Sequence, residues 1–465
     1  MADFDRRTLL TLGGSSVASL LTGCLSSKTE SLEIASADIE TKTTLKTTKS
    51  KALKRQVRSL IRLINEGSYE KAHEQFGADL AKQVSPEQLE QVWNGLEDQD
   101  GEFQSLSKLK VRNQEGTGIV TGQITFEHGK RKIITAFNDK TIIGFQIRQL
   151  NSKWSAPSYV DISTFTEQNL TIHATDACTL GGTLTLPNNT NQAPGIVLVH
   201  GQGPSDRDGT IGPNKPYKDL AWGLASHGIA VLRYDKRTQV CNPNLAEITI
   251  DEAVTNDALA AIKMLRESPT VANNSVFVVG HSIGATLAPR IATRDSNLAG
   301  IGMLAPLVRS AADAIDDQNQ YLATRDGVVT DAEKQQLKQV HQITEQIRSL
   351  DFPDDQVVYL GGDEYWGSLQ EYNPLKAARC LPIPQLLLQG ERDYQVTIEG
   401  DYKQWHETLS GKSNVSFERY PKLNHLFMPG TGKPSLEEYT KQNHFAEKTI
   451  LDIASFVKKT ISTKQ

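Results

Sequence analysis

Ser282 lies in Gly280-His281-Ser282-Ile283-Gly284, between the apolar run "SVFVV" and the helix-compatible "ATLAPRIA". A strand that turns sharply into a helix leaves little room, and small residues two positions either side let the chain through. A serine at such a corner presents its hydroxyl outward. The helix start behind it offers a dipole and free N–H groups to a developing negative charge. That is the arrangement of a nucleophile for acyl groups. Glycine and serine are common in turns, so the pentapeptide alone fits a plain loop equally well.

A serine nucleophile needs a base to take its proton and an acid to orient that base. Downstream, "PQLLLQGERD" supplies a buried strand with Asp393 just past its end, and "VSFERYPKLNH" supplies another followed by His425. Each has a bland alternative: Asp393 as a turn or helix cap, His425 as an ordinary loop histidine. Asp235, after "AVLRY", is a rival acid, but it precedes Ser282 and breaks the order serine, acid, histidine. The run "GIVLVH" leads into Gly201-Gln202-Gly203-Pro204. Glycines let the backbone approach a substrate closely. The backbone N–H groups of Gln202 and Ile283 are therefore the expected oxyanion donors, against the simpler reading of a tight strand-to-helix turn. The expected chemistry is two-step acyl transfer. His425 takes the proton of Ser282, Asp393 holds and stabilises the imidazole, and water then releases the acid. No metal or organic cofactor is called for.

These residues need a scaffold that brings strand ends together. After Trp154, apolar runs at 195–200, 229–234, 276–280, 301–305, 385–389 and 415–420 alternate with helical patterns at about 216–226, 250–267, 284–293, 401–410 and 437–459. Such alternation gives a mostly parallel sheet covered on both faces, an α/β fold. The stretch "NLTIHATDACTLGGTLTLP" adds antiparallel strands at one edge. Residues from about 307 to 376 break the rhythm with helix signals alone. Thr330 and Glu333 form a capping box, and Leu337, Val340, Ile343, Ile347 and Leu350 line one helix face. Placed between two strands, this insertion reads as a lid over the open end of the sheet.

The motifs "HGQGPSDRDG", "YDKRT", "GHSIGA", "GERD" and "NHLF" resemble the α/β-hydrolase superfamily, and within it the exported carboxylesterases of the EstD type. The resemblance spans roughly residues 160–460. It implies Ser282 as nucleophile, Asp393 as acid and His425 as base, and a small-molecule ester as substrate. Gln202 departs from it, since a small residue is expected there. Asp206, Arg207 and Asp208 fit either a buried ion-pair network or a solvated cluster. The same apparatus serves thioesterases and serine peptidases of the prolyl-oligopeptidase type, and lid and pocket decide between them. A catalytically dead envelope-binding protein is the rival from another class.

The remaining chain sets context. Its 465 residues exceed one ordinary core. A formal net charge of -5 gives no general attraction for nucleic acid. Residues 1–24 carry Arg6-Arg7, a short apolar stretch, and Leu21-Thr22-Gly23-Cys24. They resemble a twin-arginine export signal ending in a lipobox, which implies an exported protein, membrane-anchored through lipidated Cys24. An ordinary signal peptide with an incidental cysteine is the alternative. Residues 25–50 read as a linker, and 51–150 as a small α+β domain with no catalytic constellation. It resembles a domain of unknown function that often precedes hydrolase domains. Residues 151–465 form the hydrolase domain. From Lys42 to Arg62 there are eight basic residues and no acid, on a segment whose Leu53, Val57, Leu60, Ile61 and Ile64 recur at helical spacing. With Cys24 set aside, Cys178, Cys241 and Cys380 allow one disulfide at most, and none has metal-ligand spacing.

Overall fold

The computed structural model describes residues 47–463, apart from 115–116, 150–153, 176–177, 189, 191 and 354. The expected export signal, Cys24 and most of the expected linker lie outside the described residues. The chain divides into two compact units, Met1–Ser152 and Lys153–Gln465.

In the N-terminal unit, four helices precede a meander. They are α1 (Thr47–Asn65), α2 (Tyr69–His73), α3 (Ala78–Gln83) and α4 (Pro86–Asp100). The strands β1 (Phe103–Gln114), β2 (Thr117–Phe126), β3 (Lys130–Asn138) and β4 (Thr141–Gln149) pair in sequence order, all antiparallel. Helix α1 takes in the last four residues of the expected linker. Its Leu53, Val57, Leu60, Ile61 and Ile64 are all buried, because an apolar stripe at helical spacing must find a partner. That partner is the sheet face carrying Val120, Ile124, Ile133 and Phe145. Helix α4 starts in a reciprocal capping box between Ser85 and Gln88. It ends at Asp100, which pairs with the buried guanidinium of Arg131.

The second unit has an eight-stranded sheet. The strands are β5 (Phe165–Thr175), β6 (Cys178–Pro187), β7 (Ala193–Val199), β8 (Ala230–Tyr234), β9 (Val271–His281), β10 (Gly300–Leu304), β11 (Gln385–Gly390) and β12 (Val415–Tyr420). Their spatial order is β12-β11-β10-β9-β7-β8-β6-β5. From β12 to β8 every pairing is parallel, and β6 and β5 join as the antiparallel edge. The chain leaves β7 for β8 on one side and then returns to β9 on the other. Such a reversal opens a crevice beyond the strand ends, where α/β sheets bind their ligands.

Around the sheet lie α5 (Pro216–Ser226), α6 (Arg237–Val240), α7 (Asn256–Arg266) and α8 (Ile283–Arg294). The lid follows β10 as α9 (Ala311–Thr324), α10 (Asp331–Ser349), α11 (Asp363–Glu371) and α12 (Pro374–Cys380). The capping box at Thr330 and Glu333 forms, with Glu333 N donating to Thr330 Oγ1 and Thr330 N to Glu333 Oε2. The chain then runs through α13 (Lys403–Leu409) to α14 (Glu447–Ser462). Three helical expectations change. The segments 250–267 and 401–410 are entered through π turns, over Asp251–Thr255 and Ile398–Tyr402. The last helix starts at Glu447 and not near 437, because Asn443 N donates to Asn214 Oδ1 and Phe445 N to Asp219 Oδ2. After a 3-10 turn over Leu436–Thr440, those tertiary bonds hold residues 442–446 out of the helix against local helix propensity. Cys178 and Cys241 are disulfide-bonded, joining β6 to the end of α6, and Cys380 is free and exposed.

Candidate active site

Strand β9 ends at His281 and helix α8 begins at Ile283, so Ser282 alone makes the corner. Its backbone has φ 55 and ψ -122, a region almost reserved for glycine. The bonds that hold it there run from Ser282 N to Leu304 O, and from Ala285 N and Thr286 N back to Ser282 O. The flanking glycines are required by space. A Cβ on Gly280 would lie 2.2 Å from Gly284 O, and one on Gly284 would lie 2.4 Å from Val199 O. Ser282 is itself half-buried, and its hydroxyl makes no hydrogen bond among the described residues.

Asp393 follows β11 and His425 follows β12. Both are buried, and His425 Nδ1 donates to Asp393 Oδ2 at 2.7 Å. An ionised carboxylate only accepts, so this bond puts the ring proton on Nδ1 and leaves Nε2 as the basic nitrogen. The carboxylate is fixed in turn by Gln395 N at 2.8 Å, Val396 N at 3.0 Å and Gln389 Nε2 at 3.3 Å. Ser282 reaches this pair through its neighbour. The rings of His281 and His425 lie 4.6 Å apart, and His281 Nε2 donates to the His425 carbonyl at 2.8 Å.

The loop after β7 meets Ser282 from the other side, where a Cβ on Gly201 would lie 3.2 Å from Ser282 Cβ. Among the described residues, neither Gln202 N nor Ile283 N has a hydrogen-bond acceptor. The side chain of Gln202 is taken by the lid, where the buried Tyr365 hydroxyl of α11 donates to Gln202 Oε1. The charges that follow form a part-buried network. Arg207 N and Nε donate to Asp235 Oδ1 at 2.9 and 3.1 Å. Arg233 Nε donates to Asp208 Oδ1 at 3.0 Å, and Lys215 Nζ to Asp208 Oδ2 at 2.7 Å. The rival acid Asp235 is thus occupied by Arg207. Asp206 caps its own turn, accepting from Asp208 N and Thr210 N.

The sequence matches the family described as serine aminopeptidase, S33 over residues 196–429, just over half of the chain. It is 34% identical over 394 residues to Esterase EstD of Thermotoga maritima, across 84% of this chain and 92% of that protein. This chain belongs to the serine aminopeptidase S33 family of α/β-hydrolases. Residues 57–145 match a second family, described as a protein of unknown function (DUF3887). Among solved structures, a Pyrococcus furiosus esterase aligns with TM-score 0.43 and 16% identity over 66% of this chain and 97% of that one. A hyperthermophilic esterase from Pyrobaculum calidifontis aligns with TM-score 0.43 and 17% identity over 64% and 84%.

This α/β-hydrolase builds its site with residues that no motif spacing singled out. His281 is buried, and burial together with nearby His425 pushes its pKa down to about 3. It is therefore neutral, with Nε2 protonated toward His425 O, so Tyr217 Oη donates to Nδ1 at 3.0 Å. Gly201 N in turn donates to Tyr217 Oη at 3.4 Å, so a chain of hydrogen bonds runs from the glycine loop to the His425 loop beneath the serine. Lys236, just past β8, donates from Nζ to Gly201 O at 2.6 Å. In the sequence Lys236 and His281 are members of the YDKRT and GHSIGA motifs and His281 also ends an otherwise buried strand, while Tyr217 on α5 has no signal of its own. Two cavities flank the site. One of about 560 Å³ lies between α8 and the lid, lined by Thr286, Leu307, Arg309, Arg348, Leu369 and Tyr372. One of about 440 Å³ borders Asp393, Tyr394, Tyr321 and Lys433.

Proposed function

We propose that this esterase-type α/β-hydrolase cleaves carboxylic esters through an acyl-enzyme, with Ser282 as nucleophile, His425 as base and Asp393 as orienting acid. The observation that carries the reading is the 2.7 Å bond from His425 to the buried Asp393, with His281, the neighbour of Ser282, packed on the same imidazole. His425 takes the serine proton as Ser282 attacks the carbonyl carbon. The oxyanion is met by Gln202 N and Ile283 N, both without a competing acceptor among the described residues. Collapse of this intermediate expels the alcohol, which His425 protonates. Water activated by the same base then cleaves the acyl-serine. Apo sites often hold the serine–histidine bond loose until substrate arrives, which fits the unbonded hydroxyl. Esterase activity in the Thermotoga maritima relative supports an ester over a thioester. The description of the matched family favours an aminopeptidase as second reading.

A fluorophosphonate probe followed by peptide mass mapping tests the nucleophile: the adduct is expected on Ser282, and labelling elsewhere or none refutes it. A panel of aryl esters, acyl-thioesters and aminoacyl anilides tests the substrate class, with fastest turnover expected on the esters. The paired arginines and lipobox-like residues support export and lipid attachment at Cys24. Labelled fatty acid should enter the protein in the producing cell and fail to enter the Cys24→Ser variant.

A further inference from the structure

We propose that Lys236 is a positioning residue for the oxyanion hole: its ammonium group orients and polarises the peptide unit whose other end is the N–H of Gln202. This rests on the acyl-transfer reading above and adds a residue to it.

The argument begins with one peptide bond. Lys236 Nζ donates to Gly201 O at 2.6 Å, a charge-assisted bond. Gly201 C=O and Gln202 N–H belong to the same planar unit, and the described chain has no cis peptide bonds. In a trans unit the two groups point in opposite directions. A cation fixed on the oxygen therefore fixes the direction of the N–H on the far side. Lys236 N also donates to Ser205 O at 3.0 Å, so the chain after β8 holds this loop at two points. When an oxyanion forms against Gln202 N–H, the order becomes ammonium, carbonyl, amide, anion. Every dipole in that row is aligned, and in a buried site such a row strengthens each of its bonds.

A buried lysine normally sits against a carboxylate. Lys236 is only 5% exposed, yet each nearby carboxylate is committed elsewhere. Asp257 on α7 is bonded by Arg237 Nε at 2.9 Å, and Asp235 by Arg207. His200 at the end of β7 is neutral, its pKa pushed to about 3 by burial and then by the Lys236 charge. Tyr234 at the end of β8 is held far above its ordinary pKa by burial, so it adds no charge. The carbonyl of Gly201 is thus the bonded partner of the ammonium, and a structural lysine has no need of that one. Burial also lowers the pKa of Lys236 to about 8, with Asp257 opposing the shift. The charge is present below that pH and lost as pH rises through it, so its contribution to the rate follows the same course.

The test compares wild type with Lys236→Met and Lys236→Arg on a p-nitrophenyl ester across pH, with a trifluoromethyl ketone as a mimic of the oxyanion. Deleting a whole oxyanion donor costs roughly 100- to 1,000-fold in kcat, and weakening one costs less. Lys236→Met should lose roughly tenfold or more in kcat with KM little changed, and should bind the ketone weaker by the same factor. Wild type should lose activity above about pH 8, whereas Lys236→Arg, whose charge persists, should keep most of the rate and lack that alkaline limb. A folded Lys236→Met with kcat within twofold of wild type overturns the proposal, as does a loss confined to KM. Should Lys236→Met fail to fold, an alkaline limb near pH 8 retained in Lys236→Arg overturns it alone. Wild-type protein that neither hydrolyses esters nor takes a fluorophosphonate at Ser282 overturns the acyl-transfer reading itself, and this inference with it.

Discussion

Among the described residues of the N-terminal unit, those other than glycine with left-handed backbone are Lys108, beside an irregularity in the pairing of β1, and Asp139, in the turn between β3 and β4. In the hydrolase unit Asn242, Ser282, Ala305, Leu350, Tyr359 and Phe427 share a positive φ, and Ser282, Ala305 and Phe427 stand directly after β9, directly after β10 and two residues past His425. The first pair shapes a sheet. Those last three sit at the ends of strands around one site. Charge divides the same way. Arg131 and Asp100 are buried against each other, whereas Lys236 is buried against a carbonyl oxygen beside Ser282. Strain and buried charge occur in both units, so neither marks a site by itself. What marks one is their convergence at adjacent strand ends, around donors that no described residue occupies.

Four measurements would break or sharpen this contrast. Ser282→Ala should cut kcat on an aryl ester by roughly 10⁵-fold or more with the thermal midpoint little changed. Near-normal turnover would remove the hydrolase unit's claim to the chemistry. Asp393→Asn should cut kcat by roughly 10⁴-fold, because an amide leaves His425 in the wrong tautomer. A much smaller loss would mean that the histidine is oriented chiefly through the His425 loop and His281. Asp100→Asn should leave kcat unchanged but lower stability by about 3 kcal/mol, since it removes the carboxylate from a buried guanidinium. A change in ester turnover there would contradict the view that this pair only fastens the N-terminal unit.

The smallest single contributions come from two histidines and depend on pH. His200 and His281 are held near pKa 3, below the ordinary 6.5, so the unfolded chain binds protons that the folded one refuses. Their stabilising contribution is full above pH 6.5 and shrinks as pH falls, by about 2 kcal/mol each on reaching roughly pH 5. Urea unfolding over that range should show the decline, and His281→Gln should remove about half of it. A flat profile would mean that these imidazoles are not buried neutral.

Much of this architecture was legible along the chain. Val276–Gly280, Gln385–Gln389 and Val415–Tyr420 announce strands by runs of apolar or β-branched residues, and Ser282, Asp393 and His425 stand just past their ends. The apolar stripe of α1 and the capping box at Thr330 are local patterns, set by helical periodicity and one turn of backbone. The start of α14 was not legible, because it depends on bonds to Asn214 and Asp219 more than two hundred residues away. Gln202 looked anomalous in a glycine loop until Tyr365 of the lid was seen to bond its side chain. Lys236 and His281 passed as ordinary motif members for the same reason: a residue's partner across the sheet leaves no trace in its neighbours.

The sequence by itself determined the alternating α/β layers, the cramped corner at Ser282 and the chain order of the three polar groups. Each of these follows from steric and apolar patterns within a dozen residues. Only the tertiary structure decided that His425 bonds Asp393 while Asp235 goes to Arg207. It alone decided that Cys178 joins Cys241 and that a lysine after β8 grips the peptide beside the serine. Those choices are made between segments distant along the chain, and folding settles them by which buried charge or donor can find a partner without water.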